Sequence, residues 1–361
     1  MIKYIDNAPL LSHNTFGMDV RAALLVEYDT VDELRQALHE PRVQRLMQRQ
    51  REAGRLPFWH IGSGSNLLFT ADYPGVVLHC TSQGISIACA SDGTPLDDVG
   101  DARRCCLTIQ AGTTWDDVCA YCAEHGLYGP ENLSLIPGEA GAAAVQNIGA
   151  YGVEMKDLVE SVICWDVIDD CEKVLSCRDM RYDYRESLLK HPEAKSRYIV
   201  TALRLDTTRT VCLHLDYAGL RDALAADGPG PHYSAQQVRD AVIRIRQGKL
   251  PDPAVLGNAG SFFKNPVVDN AVYDRIAAQY PGMPHYKVDD THTKIPAGWL
   301  IEQCGWKGKS LGNAGVYEKQ SLVLVNRGGA RPEEIVRLCE TVIEDVDRRF
   351  GIRIEPEVNL I

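Results

Sequence analysis

Three segments of this 361-residue sequence place reactive polar side chains beside sterically permissive residues. Ser261 follows a glycine and precedes two phenylalanines, so its hydroxyl can stand in a confined pocket. Arg185 lies in a charged turn after a strand-like run, and Glu357 ends the triplet Glu-Pro-Glu near the C-terminus. Each segment alone has an ordinary structural explanation, a solvated turn or a proline-interrupted strand edge. Only their combination indicates chemistry, and the absence of a Gly-x-Ser-x-Gly elbow disfavours a hydrolase.

Two runs of small residues have the composition of a backbone cradle for a flat or anionic ligand. Glycines allow close backbone approach, and hydroxyl and amide groups add donors for a diphosphate. The Rossmann fingerprint is absent, because Gly62-x-Gly64 lacks a third glycine at the required spacing and no helical pattern opens there. Either run alone would also suit an ordinary turn, whereas the two together predict a dinucleotide. The runs are Gly62, Ser63, Gly64, Ser65 and Asn66, and residues 138–144 continuing into 146–152.

Charge and composition exclude several classes of function. Lys plus Arg number 38 against 49 for Asp plus Glu, and the net charge of −11 argues against binding to nucleic acid or to an anionic membrane. The N-terminus has no signal-peptide pattern and no apolar run reaches bilayer length, so we expect a cytoplasmic protein. The twelve cysteines are expected to be free thiols. Cys119-x-x-Cys122 lies on the apolar face of a predicted helix over residues 113–126, which favours core packing over a redox or zinc site, and we predict no metal.

The elements that must position these residues are of mixed type. To about residue 80, strand-like runs alternate with one polar helix over residues 31–51, which predicts a small α/β unit. Short β-type runs from there to about residue 215 predict an α+β domain around the second glycine-rich run. Residues 222–234 predict a linker or surface loop. A third unit ends in a helix with Pro332 in its first turn and Gly351 after its end, followed by a strand over residues 352–360.

Eight motifs, in order along nearly the whole chain, resemble those of the UDP-N-acetylenolpyruvoylglucosamine reductases, the MurB family. Eight ordered motifs are far more specific than any one of them. They lie at residues 14–17, 62–66, 130–138, 146–152, 184–187, 257–266, 297–301 and 355–358.

The resemblance implies an α+β flavoprotein with an FAD-binding fold of the vanillyl-alcohol-oxidase type and a C-terminal α+β substrate-binding domain. We predict FAD-binding subdomains over residues 1–82 and 83–221 and a substrate-binding domain over 235–350, with the C-terminal strand, 351–361, returning to the first subdomain. The implied reaction is the NADPH-dependent, FAD-mediated reduction of UDP-N-acetylglucosamine enolpyruvate to UDP-N-acetylmuramate, a step of peptidoglycan precursor synthesis that serves cell shape and division. The implied partners are these small molecules, with no nucleic acid, membrane or obligate protein partner.

The resemblance also implies roles for individual residues. Hydride addition from the flavin builds negative charge on the enolpyruvyl group, which a cation and a proton donor must meet. Arg185 corresponds to the arginine at the substrate carboxylate, Ser261 to the serine that delivers the proton, and Glu357 to the carboxylate that assists polarisation or proton transfer. An ionised Glu357 would order the site and a neutral one could itself donate a proton, and both alternatives stay open.

Further residues are assigned to the ligands by the same resemblance. Tyr217 is similar to the tyrosine on a mobile loop that closes over the diphosphate in one subgroup of the family; Ala218 and Gly219 follow it here. The implied substrate-binding residues are Tyr217, Lys249, Asn265, Tyr286 and Gln320. The implied FAD-binding residues are Gly62, Ser63, Gly64, Ser65, Asn66, Pro137, Gly138, Asn147, Gly149, Ala150, Gly152 and Tyr184.

Two other functions are considered. A flavin oxidase of the same fold often carries a covalently attached flavin on His or Cys, and residues 133–152 contain neither. A catalytically silent flavin or sugar-nucleotide binding protein is expected to lose the reactive side chains, yet Arg185, Ser261 and Glu357 are all present. The reductase is therefore favoured.

Overall fold

The computed structural model describes residues 1–88, 104–217, 219–226 and 233–361. Unit 1 comprises Met1–Ala8, Ala22–Ser63 and Tyr73–Gly248, and unit 2 comprises Pro9–Arg21, Gly64–Asp72 and Lys249–Ile361. The helices are α1 (Val31–His39), α2 (Pro41–Glu52), α3 (Trp115–Glu124), α4 (Ala140–Gln146), α5 (Pro192–Lys195), α6 (Leu220–Ala225), α7 (Ala235–Lys249), α8 (Asn270–Ala277), α9 (Ala297–Gln303) and α10 (Pro332–Phe350). Within the described ranges, none of these helices has the length and apolar character needed to cross a membrane.

The strands are mostly short, and the longest belong to unit 1. They are β1 (Lys3–Pro9), β2 (Arg21–Tyr28), β3 (Phe58–Ile61), β4 (Leu67–Leu68), β5 (Tyr73–Cys80), β6 (Ile85–Ala88), β7 (Arg104–Gln110), β8 (Gly149–Ala150), β9 (Val153–Glu154), β10 (Val159–Asp166), β11 (Cys171–Ser176), β12 (Tyr198–Thr208), β13 (Asn258–Ser261), β14 (Val267–Asp269), β15 (Tyr286–Lys287), β16 (His292–Lys294), β17 (Ser310–Leu311), β18 (Ala314–Val316), β19 (Val323–Asn326) and β20 (Asn359–Leu360).

The first sheet of unit 1 has the order β1-β2-β5-β3, and β5 pairs in parallel with both β2 and β3. The prediction of one helix over residues 31–51 is wrong, because α1 ends before Pro41 and α2 begins there. Proline disfavours helical backbone in the residue before it, and Glu40 is extended with ψ of 127°. The Glu40 side chain accepts hydrogen bonds from Arg42 N and Val43 N and so caps α2.

The second sheet of unit 1 is antiparallel, with the order β11-β10-β12-β7-β6. Helix α3 packs into the core of this unit, and Cys119 and Cys122 are buried on its apolar face together with Trp115 and Val118. This confirms the predicted packing role of the two cysteines. Burial raises the pKa of the Cys122 thiol to about 12, so it is protonated at neutral pH. The eleven cysteines in the described ranges are free thiols.

Unit 2 contains a four-stranded antiparallel sheet, β13-β19-β18-β17, and a three-stranded sheet, β14-β16-β15. Helix α10 contacts β18, β19 and α9. The prediction for this helix is confirmed, with Pro332 at its first position and Gly351 at its C-terminal cap with φ of 66°. Its buried apolar stripe comprises Ile335, Leu338, Val342, Val346 and Phe350, among others.

Two other predicted elements differ from the structure. Of residues 352–360, only β20 pairs as a strand, in parallel with β4, while Pro356 forms a single bridge with Phe263. A proline lacks the N–H that a continuous ladder requires at that position, which explains the interruption. Within the predicted linker at residues 222–234, the chain is helical as far as Ala225 in α6, and residues 227–232 lie outside the described ranges.

Candidate functional site

The two small-residue runs meet within unit 1 at Gly62 and Glu139. Gly62 follows β3, and a Cβ atom added to it would lie 2.9 Å from Glu139 Oε2, so a larger residue would collide with this carboxylate. Glu139 precedes α4, and its Oε1 lies 3.2 Å from His79 Nε2. His79 Nδ1 lies 3.4 Å from Glu27 Oε1. The two small-residue runs therefore lie side by side, as the predicted cradle requires. Next to them is a chain of three polar side chains, Glu139, His79 and Glu27, which the sequence motifs did not reveal.

His79 lies between the carboxylates of Glu139 and Glu27, beside this part of the cradle. Burial opposes its protonation, but the hydrogen bonds and charges of Glu139 and Glu27 outweigh burial and raise the pKa of His79. When His79 is protonated, its imidazolium reduces the net negative charge of the two carboxylates. This arrangement is more compatible with an anionic diphosphate than an isolated pair of carboxylates would be.

The second run forms α4 and the β8–β9 hairpin. A Cβ atom on Gly141 would lie 2.9 Å from Ala111 Cβ, so this glycine serves helix packing. Asn147 ends α4 with φ of 44°, and its buried side chain donates to Asp183 O at 2.8 Å. Gly152 lies in the hairpin turn with φ of 85°, and no described atom comes within 4 Å of the position its Cβ would take. The open space at Gly152 fits a backbone cradle for FAD, whereas Gly141 is explained by the fold alone.

The backbones of three further predicted FAD-binding residues, Gly138, Gly64 and Asn66, have specific conformations or contacts. Gly138 has φ of 126°, and its carbonyl accepts a hydrogen bond of 2.9 Å from Trp115 N. Gly64 has φ of 71° and lies against the His13 backbone, and Asn66 O accepts from Asn359 N at 3.1 Å. Unit 2 carries Gly64, Ser65 and Asn66, and unit 1 carries Gly62, Ser63, Pro137, Gly138, Asn147, Gly149, Ala150, Gly152 and Tyr184.

Arg185 is held against the same hairpin of unit 1. It occupies a tight turn at residues 183–186 with φ of 54°, a strained conformation for a non-glycine residue and one that is common at functional sites. Its Nη2 donates to Gly149 O at 2.8 Å and its Nη1 to Asn147 O at 3.4 Å. The guanidinium carbon lies 5.4 Å from the centre of the Tyr184 ring. These contacts fix the direction of a permanent positive charge beside the predicted FAD-binding residues.

Tyr217 belongs to a segment without regular structure in unit 1. Its side chain is 44% exposed, and its ring meets that of Tyr151 edge-on at 5.3 Å between centroids. Tyr151 lies in the β8–β9 turn, so the tyrosine contacts the hairpin that also contacts Arg185. Asn132 links the same two segments, because its side chain donates to Tyr151 O and to His214 O at 2.8 Å each. Ala218, which follows Tyr217, lies outside the described residues.

Ser261 and Glu357 come from neighbouring segments of unit 2. A bulge interrupts the pairing of β13 with β19 just before Ser261. Gly260 has φ of 68° there, and no described atom would lie within 4 Å of a Cβ atom added to it. Such bulges redirect side chains. Glu357 N donates to Phe262 O at 2.8 Å, so the backbone of Glu357 lies beside the residue that follows Ser261.

Asn265 and Gln320 converge on the start of α9 in unit 2. Asn265 Oδ1 accepts from Ala297 N at 2.9 Å, and Gln320 Oε1 would lie 3.1 Å from a Cβ atom on Gly298. The structure thus brings these two predicted substrate-binding side chains to the same helical turn.

Lys249 and Tyr286 have exposed settings. Lys249 is the last residue of α7, and its side chain is exposed. Tyr286 is 51% exposed in β15, with Lys294 Nζ 6.0 Å from the centre of its ring. Their roles in substrate binding stay predictions.

Two family models match the chain. Residues 24–178 match the FAD binding domain, and residues 252–361 match the C-terminal domain of UDP-N-acetylenolpyruvoylglucosamine reductase. A solved structure of UDP-N-acetylenolpyruvylglucosamine reductase from Thermus caldophilus superposes with a TM-score of 0.62 at 22% identity, covering 100% of this chain and 98% of that one. The predicted α+β architecture, an FAD-binding fold with a C-terminal domain, is confirmed.

Relatives at higher identity extend over nearly the full length. The UDP-N-acetylenolpyruvoylglucosamine reductase of Bacteroides fragilis is 47% identical over 352 residues, and that of Pseudomonas aeruginosa is 43% identical over 356 residues. Each alignment covers 98% of both proteins. The chain therefore belongs to the UDP-N-acetylenolpyruvoylglucosamine reductase family.

Proposed function

We propose that this protein reduces UDP-N-acetylglucosamine enolpyruvate to UDP-N-acetylmuramate, with FAD as cofactor and NADPH as reductant. The observation that carries the proposal is the 47% identity to a curated reductase across 98% of both chains. We further propose that the reaction takes place in the cytoplasm as part of peptidoglycan precursor synthesis and needs no protein partner.

The residues of unit 1 fit the cofactor. The open space at Gly152 and the capped end of α4 at Asn147 provide backbone surface without obstructing side chains, and Gly62 lets the two small-residue runs come close together at Glu139. When bound there, FAD would supply the hydride-transfer chemistry between NADPH and the terminal carbon of the enolpyruvyl group. The protein's contribution is to hold this cofactor and to stabilise the charge that the transfer creates.

Arg185 supplies the positive charge in this scheme. The two carbonyl contacts direct its guanidinium, and a guanidinium keeps its charge throughout the physiological range. We assign it to the substrate carboxylate, where negative charge accumulates, together with the carbon next to it, as hydride adds to the terminal carbon of the enolpyruvyl group. A cation that is already oriented needs little rearrangement when that charge appears.

Ser261 and Glu357 complete the proton transfer. A serine hydroxyl is a weak acid, so it can protonate only a strongly basic carbon and only when it is fixed in a site shielded from water. The bulge before Ser261 and the adjacent backbone of Glu357 support a fixed position for this hydroxyl within unit 2. We assign the proton to the Ser261 hydroxyl and assistance in its transfer to the Glu357 carboxylate.

The UDP portion is assigned to five further side chains. Asn265 and Gln320 offer amide groups near the start of α9, and Lys249 and Tyr286 offer an exposed ammonium and an aromatic ring. Tyr217 is assigned to the diphosphate.

Steady-state turnover tests this function. Purified protein containing FAD should consume NADPH only when the UDP-sugar is present, and the product should contain two more hydrogen atoms by mass spectrometry. Oxygen-dependent consumption without the UDP-sugar would instead identify an oxidase. Flavin binding without any consumption would identify a silent binding protein.

A further inference from the structure

Asn132 is a buried polar residue to which the proposed chemistry gives no role. It lies in a 3-10 turn, Pro130–Leu133, and its side chain is 0% exposed. Both of its amide hydrogens are used, one on Tyr151 O and one on His214 O, each at 2.8 Å. Both partners are backbone acceptors, so the NH₂ group rather than the carbonyl oxygen must face them.

The carbonyl oxygen of Asn132 has no hydrogen-bond partner among the described residues. A buried acceptor without a partner is unfavourable, and an apolar residue of similar size would avoid that cost. Packing therefore does not explain an asparagine at this position. The two N–H donors of its side chain explain the asparagine, because they join the β8–β9 hairpin to the segment that carries Tyr217.

This segment, residues 209–217, has no regular secondary structure. Leu213 and Leu215 pack against a small cluster that includes Leu220 and Val242, and Tyr151 contacts the same cluster. Between the two leucines, the His214 carbonyl accepts from Asn132. The hydrogen bond at His214 thus lies between the apolar contacts of Leu213 and Leu215, and the exposed Tyr217 follows two residues later.

We propose that Asn132 is a positioning residue that holds the Tyr217 segment for the substrate diphosphate, an inference that rests on the proposed function. Asn132 acts through backbone carbonyls at Tyr151 and His214, and Tyr151 in turn contacts the Tyr217 ring. Loss of the amide should release the segment at His214 and remove the orientation of Tyr217 without altering the groups that perform hydride and proton transfer.

The first test compares Asn132→Ala with Ser134→Ala. The Ser134 hydroxyl donates to Glu131 O at 2.7 Å in the same turn and is equally buried, so its removal controls for damage to the turn. Asn132→Ala should raise KM for the UDP-sugar about 2- to 10-fold, the effect expected for loss of the one hydrogen bond that holds the Tyr217 segment at His214 O, with kcat and flavin reduction by NADPH unchanged. Ser134→Ala should leave KM unchanged. An equal rise in both variants would overturn the proposal.

A double-mutant cycle then asks whether Asn132 acts through Tyr217. In a Tyr217→Ala background, Asn132→Ala should add little further to KM, because the side chain that it positions is gone. The same fold-increase in both backgrounds would show that the two residues act independently, contrary to the proposal.

Hydrogen exchange provides a readout that needs no substrate. Amides in residues 209–217 should exchange faster in Asn132→Ala, while those of β10 and β12 keep their wild-type rates. If Asn132→Ala does not fold, Asn132→Ser, which retains one donor, should show the same changes to a smaller extent. Unaltered exchange in an active enzyme overturns this inference alone, whereas an inactive wild type with faster exchange in the variant overturns only the proposed function.

Discussion

Replacement of Arg185 by lysine should slow reoxidation of the flavin by the UDP-sugar and leave flavin reduction by NADPH unchanged. The lysine keeps the charge but cannot form the two simultaneous contacts that direct the guanidinium at Gly149 O and Asn147 O. Because the charge to be stabilised appears only when hydride reaches the substrate, the loss should fall on that half-reaction.

The size of the effect follows from these contacts. The bond to Gly149 O, at 2.8 Å, is a short hydrogen bond from a charged donor, for which a typical contribution is about 1.5–3 kcal/mol. The contact with Asn147 O is 3.4 Å long and adds little. If the full orienting free energy is lost in the transition state, the rate should fall roughly 10- to 150-fold.

The assay is anaerobic stopped-flow absorbance, which follows each half-reaction separately. Arg181→Lys is a matched control, because Arg181 lies four residues earlier, is exposed and also has positive φ, at 48°. Both variants should be reduced by NADPH at the wild-type rate, and only Arg185→Lys should be reoxidised slowly. Equal slowing of reduction and reoxidation in Arg185→Lys would refute the reasoning and identify Arg185 as a support of the hairpin.

Three further predictions concern other residues. Ser261→Ala should leave flavin reduction near normal and slow reoxidation by the substrate by orders of magnitude, as expected for loss of a proton donor; equal slowing of both half-reactions would indicate a structural role. Tyr217→Phe should mainly weaken binding of the UDP-sugar, measured as KM, and a large loss of flavin reduction at unchanged affinity would contradict this. Burial lowers the pKa of His60 to about 3, so below its ordinary value of 6.5 the unfolded chain binds a proton that the folded one does not. The free energy of unfolding should therefore keep the full contribution of His60 above about pH 6.5. As the pH falls below that value, it should decrease by at most about 1.4 kcal/mol per pH unit. His60→Gln, which can still accept the Tyr28 hydroxyl bond, should show a shallower dependence of the unfolding free energy on pH, measured by urea unfolding at several pH values. Identical pH dependence in both proteins would argue against a His60 that stays neutral in the folded state.

Elements defined by local signals could be predicted from the sequence. Helix α10 has its proline, glycine and apolar stripe within one continuous segment, and α3 buries both cysteines as their spacing predicts. The break between α1 and α2 also has a local signal, Pro41, which the loose apolar stripe obscured. The end of the chain has no such signal, because the partners of residues 355–357 lie about ninety positions earlier, at 262–264.

In the candidate site, too, features with a local sequence signal could be predicted, and features that depend on distant contacts could not. Glycine composition indicated the cradle, but it did not separate Gly141, which packs against Ala111, from Gly152, which faces open space. Asn132 lies inside a recognised motif, yet its two acceptors are 19 and 82 residues away. Such contacts depend on tertiary structure, so composition and spacing alone do not predict them.

Anaerobic reduction and reoxidation of the flavin tests the central claim most directly. The purified protein would be titrated with NADPH until the flavin absorbance bleaches, and UDP-N-acetylglucosamine enolpyruvate would then be added without oxygen. The proposed function predicts rapid return of the oxidised spectrum with formation of UDP-N-acetylmuramate. Bleaching that reverses only when air is admitted, or the absence of any flavin band, would contradict it.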